Sequence, residues 1–385
     1  MLPDKKKKSF APALALSALA LFFGAAVFLS APVTAQKIKE LPPPPPVPRY
    51  RPKPTPAPEP PEYEVIRVSS NLVVMPVSVT NRSGQPMLGL KVADFRIEED
   101  GRLQEIAQLG DPEQVPLDVA LLVDVSGTVN ARFDFEKEAA ARFLSQVLKP
   151  IDHAAIFTID RIPKLIQASA NVDATRSQLR ALTPAADKGP TAYYDTVIAA
   201  ARYLAKNTPE QHRRVIVVIS DGEDNFSNAV RDSATAAYRA TKDEGNELTP
   251  AVRARILAAS ETALQNGHRK AQADVLREVQ TANIVFYAIN PSGEALRLNV
   301  ISTRAQNAMQ QLASATGGTA FVPQRIENLE EVFGRIASEL RAQYLLQYYS
   351  NDKSGGTAFR RIAVTTPANP QLRVRAREGY YPKAK

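Results

Sequence analysis

Short apolar runs separated by stretches of helical spacing constrain this chain most strongly. Leu117–Val125, Ala154–Ile159, Val215–Ile219 and Ile284–Ile289 are apolar along most of their length. Runs of this kind suit strands buried on both faces, as in a parallel sheet covered by helices. Between and after them, Phe133–Leu148, Ala192–Leu204, Ala305–Ala315 and Leu329–Leu340 carry apolar residues at helical spacing. Leu165–Ser169 reads as a short partner strand and Ala320–Val322 as a further one. Strand–helix alternation implies parallel crossovers, so the expected fold is α/β with a doubly wound, mostly parallel sheet. Gly317-Gly318 provide a C-cap signal after Ala305–Ala315.

On either side of this block the period changes to two. Val73, Met75, Val77 and Val79 alternate with Val74, Pro76, Ser78 and Thr80, and Asn81–Gly84 reads as a turn. Glu99-Asp100-Gly101-Arg102 is a hairpin signal between Phe95–Glu98 and Leu103–Ile106. Tyr344–Tyr349, Phe359–Thr366 and Leu372–Arg377 are strand-like, with a turn at Asp352–Gly356. The outer segments are expected to form a small β-sandwich into which the α/β block is inserted. The implied organisation is an N-terminal β segment at 63–115, the α/β block at 116–343 and a C-terminal β segment at 344–385. Residues 229–282 exceed what one crossover helix needs and read as two or three helices with mixed-charge faces. They form either a solvated insertion or a partner-binding arm.

The N-terminus has the order of an export signal. Lys5–Lys8 precede an apolar run from Phe10 to about Leu29, followed by Val33-Thr34-Ala35-Gln36 with small residues where a signal peptidase reads. Two readings stay open for residues 1–35: a cleaved signal, or an uncleaved inner-membrane anchor over residues 10–31. Both place the remainder in the periplasm, cell envelope or outside. Many of the thirty prolines fall in the linker at 36–62, where backbone donors are missing and φ is fixed. Residues 41–62, extended as polyproline II at about 3.1 Å per residue, reach on the order of 65 Å, as a stalk or as a ligand for proline-binding modules.

Composition narrows the chemistry. Cysteine is absent, which removes disulfides, thiolate nucleophiles and Cys-type zinc sites. With only His153, His212 and His268, a three-His metal site would need every histidine. Of the net charge of +8, about +3 comes from the four N-terminal lysines set against Asp4. No dense basic stripe with interleaved aromatics remains, so nucleic acid is not an expected partner.

In doubly wound sheets the ligand site lies beyond the C-terminal strand ends. After the first apolar strand comes Asp124-Val125-Ser126-Gly127-Thr128, and after Val215–Ile219 comes Ser220-Asp221-Gly222-Glu223-Asp224. Gly189-Pro190-Thr191 precedes the helix at Ala192. Carboxylates and hydroxyls thus gather at one sheet edge. They are hard oxygen donors suited to Mg²⁺, Mn²⁺ or Ca²⁺. The bland alternatives are helix caps for Asp124 and Thr191 and an ordinary turn at Asp221-Gly222. Glu223 and Asp224 are expected to be solvated near the site. Tyr193, Tyr194 and Phe226 are either core residues or a ligand-contacting rim, with core packing the favoured reading.

Asp-x-Ser-x-Thr, a later Gly-Pro-Thr and a later Ser-Asp-Gly, each after its own strand, resemble the metal-ion-dependent adhesion site of von Willebrand factor type A (VWA) domains, a Rossmann-like fold. The resemblance covers about residues 116–343. It implies that Ser126, Thr128 and Thr191 offer hydroxyls to a divalent ion, most simply Mg²⁺, with Asp124 and Asp221 acting directly or through water. Thr128 departs from the usual serine but keeps the hydroxyl. The whole layout, through Tyr-Leu-Leu-Gln-Tyr and Arg-Glu-Gly-Tyr-Tyr near the end, also resembles an acidobacterial VWA-related subfamily. The resemblance further implies a protein partner whose acidic side chain completes the metal shell. The enzyme alternatives are weak. Ser126 stands where a haloacid-dehalogenase phosphatase needs a second Asp, no P-loop or His-Glu-x-x-His is present, and Ser126 has no evident base. The expected function is therefore binding rather than catalysis. The alternative is a structural or assembly subunit of an envelope complex with a vestigial metal site.

Overall fold

A computed structural model describes residues 72–126, 131–185, 189–242, 249–292, 299–352 and 356–382. The export signal, the linker and Thr128 lie outside the described residues. Among those described, no helix is long and apolar enough to cross a membrane.

The chain runs through β1 (Leu72–Thr80), β2 (Arg96–Glu99), β3 (Arg102–Gln104), β4 (Ile106–Gly110), β5 (Leu117–Asp124), α1 (Ala131–Val147), β6 (His153–Ile159), β7 (Lys164–Ser169) and α2 (Val172–Arg180). It continues through α3 (Tyr193–Asn207), β8 (Arg213–Ile219), α4 (Asn228–Lys242), α5 (Pro250–Thr281), β9 (Ile284–Ile289), α6 (Val300–Thr316) and β10 (Ala320–Phe321). Last come α7 (Leu329–Arg341), β11 (Tyr344–Tyr349), β12 (Arg360–Thr365), β13 (Arg373–Arg375) and β14 (Gly379–Tyr380).

The central sheet has the order β10-β9-β8-β5-β6-β7. Its first five strands are parallel, and β7 closes the edge antiparallel to β6. Alternation along β5 sends Val119, Leu121 and Val123 to a core shared with α1 and α7, and Ala120 and Leu122 to a second core under α3, α5 and α6. Both faces are covered, which is why β8 beyond Arg213 and Arg214, and β9 throughout, carry apolar or aromatic side chains. The fold is thus mixed α/β with a mostly parallel central sheet, as the strand–helix alternation predicts.

Two antiparallel four-stranded sheets, β13-β1-β11-β4 and β14-β12-β2-β3, flank it in sequence. They share a core of Val73, Met75, Val77, Phe95, Ile97, Leu346, Tyr348 and Ile362 among others. The hairpin β2–β3 turns at Asp100 and Gly101, both with positive φ (48° and 77°), as a tight two-residue turn requires. The sequence reading carries one strand through Leu103–Ile106. Instead the chain breaks at Glu105, and β3 and β4 enter different sheets. α2 and β14 have no counterpart in the sequence reading. α2 is polar over most of its surface, and β14 is two residues long.

The long segment after β8 forms two helices. α4 packs along α5, whose buried residues Gly267, His268, Ala271, Val275 and Val279 all lie in its C-terminal half. The N-terminal half is mostly exposed, with Leu257 at 70%.

Glu99, at the end of β2, organises the sandwich. Its carboxylate accepts from Tyr348 Oη (2.7 Å), Tyr380 Oη (3.1 Å), Ser350 Oγ (2.6 Å) and Arg360 Nη1 (3.2 Å). The Glu99 and Arg360 side chains are 2% and 8% exposed. A buried charge survives only when paired and hydrogen-bonded. Removing one partner strands the other. Glu99→Ala is therefore expected to cost about 3–5 kcal/mol, measured as a lowered chemical-denaturation midpoint.

Candidate metal centre

β5 and β8 are parallel neighbours with Val123 opposite Ile219. The next residue on each, Asp124 and Ser220, therefore emerges side by side at the C-terminal edge. Ser220 Oγ donates to Asp124 Oδ2 at 2.6 Å and accepts the Gly222 N–H at 3.0 Å. Asp124 Oδ1 accepts from Ser126 Oγ at 2.6 Å and from Ser126 N–H at 2.9 Å. Removal from solvent raises the Asp124 pKa. The three hydrogen bonds from Ser126 and Ser220 oppose that shift, and the Asp221 charge adds to it. Burial, with Asp221 and Asp124 nearby, also raises Glu223.

The loop after β8 is fastened to the start of α3. Thr191 N–H donates to Asn225 Oδ1 (2.7 Å), and the Thr191 carbonyl accepts from Asn225 N–H (3.1 Å) and Phe226 N–H (3.0 Å). Asp224 Oδ2 accepts the Tyr194 N–H at 2.9 Å, Asp224 Oδ1 accepts the Ser227 N–H at 3.0 Å, and Ser227 Oγ accepts the Asp195 N–H at 3.0 Å. Asp224 is 5% exposed. This corrects the solvated placement expected from sequence: its carboxylate serves the backbone of α3 and of its own loop. Gly222 has φ 76°, which a side chain rarely adopts, and a Cβ there would meet Met309 at 2.9 Å. The loop can therefore pass tightly over α6.

Asp124, Ser126, Ser220 and Asp221 line one cleft of about 190 Å³, closed on its sides by Phe133, Pro184 and Pro291. Glu136 joins them from α1, one helical turn beyond Phe133 and so on the same face. Thr191 does not line this cleft; it is 7% exposed at the head of α3. Tyr193 and Tyr194 are core residues, at 2% and 3% exposure. The Tyr193 hydroxyl has no partner among the described residues, and Asp224, Asp124 and Asp221 act on it electrostatically. Phe226 is half-buried between the guanidinium groups of Arg161 (5.3 Å) and Arg231 (4.5 Å).

Sequence reading overlooks Ser220 as a site residue, although its place directly after a strand is the usable signal. Glu136 gives no such signal, since one carboxylate on a surface helix is ordinary. The donor set in the cleft consists of carboxylates and hydroxyls, which fits a hard divalent cation and not a soft one.

Asp124 also makes the apo protein pH-sensitive. A folded-state pKa above the ordinary 3.8 means that this group's contribution to stability is fully present below that value and is lost as pH rises through the raised one. With chelator at neutral pH, Asp124→Asn is expected to raise the thermal midpoint by a few degrees. The gain should vanish near pH 3, where wild type is protonated in both states.

The von Willebrand factor type A domain family profile matches residues 119–223. No curated protein sequence matches the chain. Among solved structures, the chain is similar to an aerotolerance-related membrane protein from Bacteroides fragilis (17% identity, 58% of this chain and 98% of that one, TM-score 0.36). It is also similar to the vWF domain of the type V pili tip protein Mfa5 from Porphyromonas gingivalis (14% identity, 58% and 94%, TM-score 0.39). A third is proximal thread matrix protein 1 from the mussel byssus with a zinc-occupied MIDAS motif (12% identity, 62% and 48%, TM-score 0.37). The matched stretch runs from β5 to the loop after β8 and contains Asp124, Ser126 and Asp221, so the chain carries a von Willebrand factor type A domain.

Proposed function

We propose that this protein is an exported, metal-dependent binding module, presented on its proline-rich segment, that captures a protein partner through an acidic side chain. The observation that carries the reading is the clamp on Asp124. Two hydroxyls and a backbone amide hold its carboxylate in a cleft that Asp221 and Glu136 also line. Three carboxylates so gathered repel one another unless a cation joins them. Asp124, Ser126 and Asp221 would hold the ion, with Thr128 as a further hydroxyl donor; Mg²⁺ is the first candidate and Mn²⁺ or Ca²⁺ the others. The bound ion supplies a positive, oxygen-seeking centre that an incoming carboxylate can ligate. Ser220 fixes the Asp124 rotamer, and the loop fastened to α3 holds Asp221 in place. Arg161 and Arg231 beside Phe226 put two exposed positive groups near the head of α3, favourable to an acidic partner. A binding role without catalysis belongs to this reading: the Ser126 hydroxyl donates to Asp124, and both are assigned to the ion.

Calorimetric titration of Mg²⁺, Mn²⁺ and Ca²⁺ into the full chain tests this reading. Saturable binding by wild type and none by Asp124→Ala is the expected outcome. At a metal concentration a hundred times Kd, wild type should gain about 2.7 kcal/mol of stability and the variant nothing. Absence of binding in wild type would shift the reading to a structural or assembly subunit of an envelope complex.

A further inference from the structure

The opposite edge of the same sheet holds a second cluster. Asp118 is the second residue of β5, and His153 is the first residue of β6 and its register partner. His212 immediately precedes β8. It lies two residues before Arg214, the β8 partner of Asp118. Period-two alternation therefore sends Asp118, His153 and His212 to one face, under the C-terminal end of α3. His212 Nδ1 lies 2.7 Å from Asp118 Oδ2, and His153 Nδ1 lies 3.6 Å from Asp118 Oδ1. The two imidazoles stack at 6.5 Å between centroids, one on each oxygen of a single carboxylate. Two of the chain's three histidines meet here.

We propose that Asp118, His153 and His212 form a binding site for a borderline divalent cation of the Zn²⁺ class. One donor atom from each residue lies within 4.8 Å of the others. Zinc bonds of about 2.0–2.1 Å place tetrahedral ligand atoms about 3.3 Å apart. The 2.7 and 3.6 Å separations, one to each carboxylate oxygen, lie on either side of that spacing, and the half-exposed His153 is the ligand that would turn to close the set on an ion.

The surroundings suit a cation with open positions. Asp118 and His212 side chains are 10% and 19% exposed, whereas His153 is 50% exposed. Two ligands are thus held by the fold and one sits at the mouth. The cleft, about 550 Å³, is also lined by Ser169, Tyr203, Asn207 and Thr208, leaving room for water or an outside ligand as the fourth donor. Arg214 is the nearest cation in register. Its guanidinium is spent on the carbonyls of Thr208 (2.6 Å) and Ala282 (2.9 Å) and leaves the carboxylate to the imidazoles. Imidazole nitrogen selects Zn²⁺, Ni²⁺ or Cu²⁺ over Mg²⁺ or Ca²⁺. The two edges of the sheet therefore differ in the metal they take, and this site does not depend on the strand-end reading above.

The test is Zn²⁺ calorimetry on the full chain without affinity-tag histidines, in excess Mg²⁺. One Zn²⁺ per chain is expected. His153→Ala and His212→Ala should each weaken binding by more than the about 10–100-fold cost of disturbing an outer-shell partner. Asp124→Ala and His268→Ala should leave it unchanged. His153 is half exposed, so its variant is expected to fold even if the His212 variant does not. Substitution with Co²⁺ should give visible ligand-field bands that His153→Ala alters. The proposal is overturned by absence of saturable Zn²⁺ binding, by binding that survives His153→Ala intact, or by binding lost in Asp124→Ala.

Discussion

The pairing of β1 with β11 is the constraint on which the rest of the molecule depends. Six register pairs, from Leu72–Tyr349 to Val77–Tyr344, join a strand before the α/β body to the strand after it. β4 adds to the other side of β11, with Gly110 opposite Leu345. The chain thus leaves the sandwich and returns to it at neighbouring points. Arg213, at the start of β8, reinforces the junction. Its guanidinium donates to the carbonyl of Leu340 at 2.6 Å and to that of Pro112 at 3.0 Å, one on the outgoing and one on the returning segment. The C-terminal stretch adds a further tie: Glu378 N–H donates to the Ala315 carbonyl at 3.0 Å, and Arg377 donates to Val74 and Asn283.

Within the body, strand β5 is buried on both faces and exposes chemistry only at its ends. Apolar side chains fill Val119 to Val123, and a carboxylate stands at each terminus. Asp124 at one end is held by hydroxyls and backbone amide; Asp118 at the other is held by imidazoles. Six residue steps of about 3.3 Å separate them, roughly 20 Å. A parallel sheet makes this arrangement natural, because its helices cover the middle of every strand and leave only the two edges open.

The sheet was legible because burial on both faces leaves no alternation to confuse. β9 coincides with the apolar run Ile284–Ile289, and β11 with Tyr344–Tyr349. The loops at the strand ends were legible too, since Asp124, Ser126 and Asp221 follow strands whose neighbours could be inferred from the crossovers. What escaped was set by cross-strand register. Ser220 gains its role only when β8 lies beside β5, and Asp118, His153 and His212 come together only because three strands start level. Single polar residues at strand starts carry no local periodicity. Asp224 was misread for a related reason: an acidic run looks solvated until the amides of α3 are seen to face it. The break at Glu105 was hidden because a strand that changes sheets keeps the same local pattern on both sides.

The junction has a mechanical consequence. β1 and β11 run antiparallel, so Leu72 lies at the end of the ladder away from the body while Tyr344 lies at the end next to it. Tension between residue 72 and the α/β body pulls these two strands lengthwise in opposite directions. The ladder is then loaded in shear, with its hydrogen bonds strained together and not peeled one after another. Because the outgoing and returning segments meet side by side, the same tension divides between two covalent connections, and the central sheet is spared from being drawn out by either end.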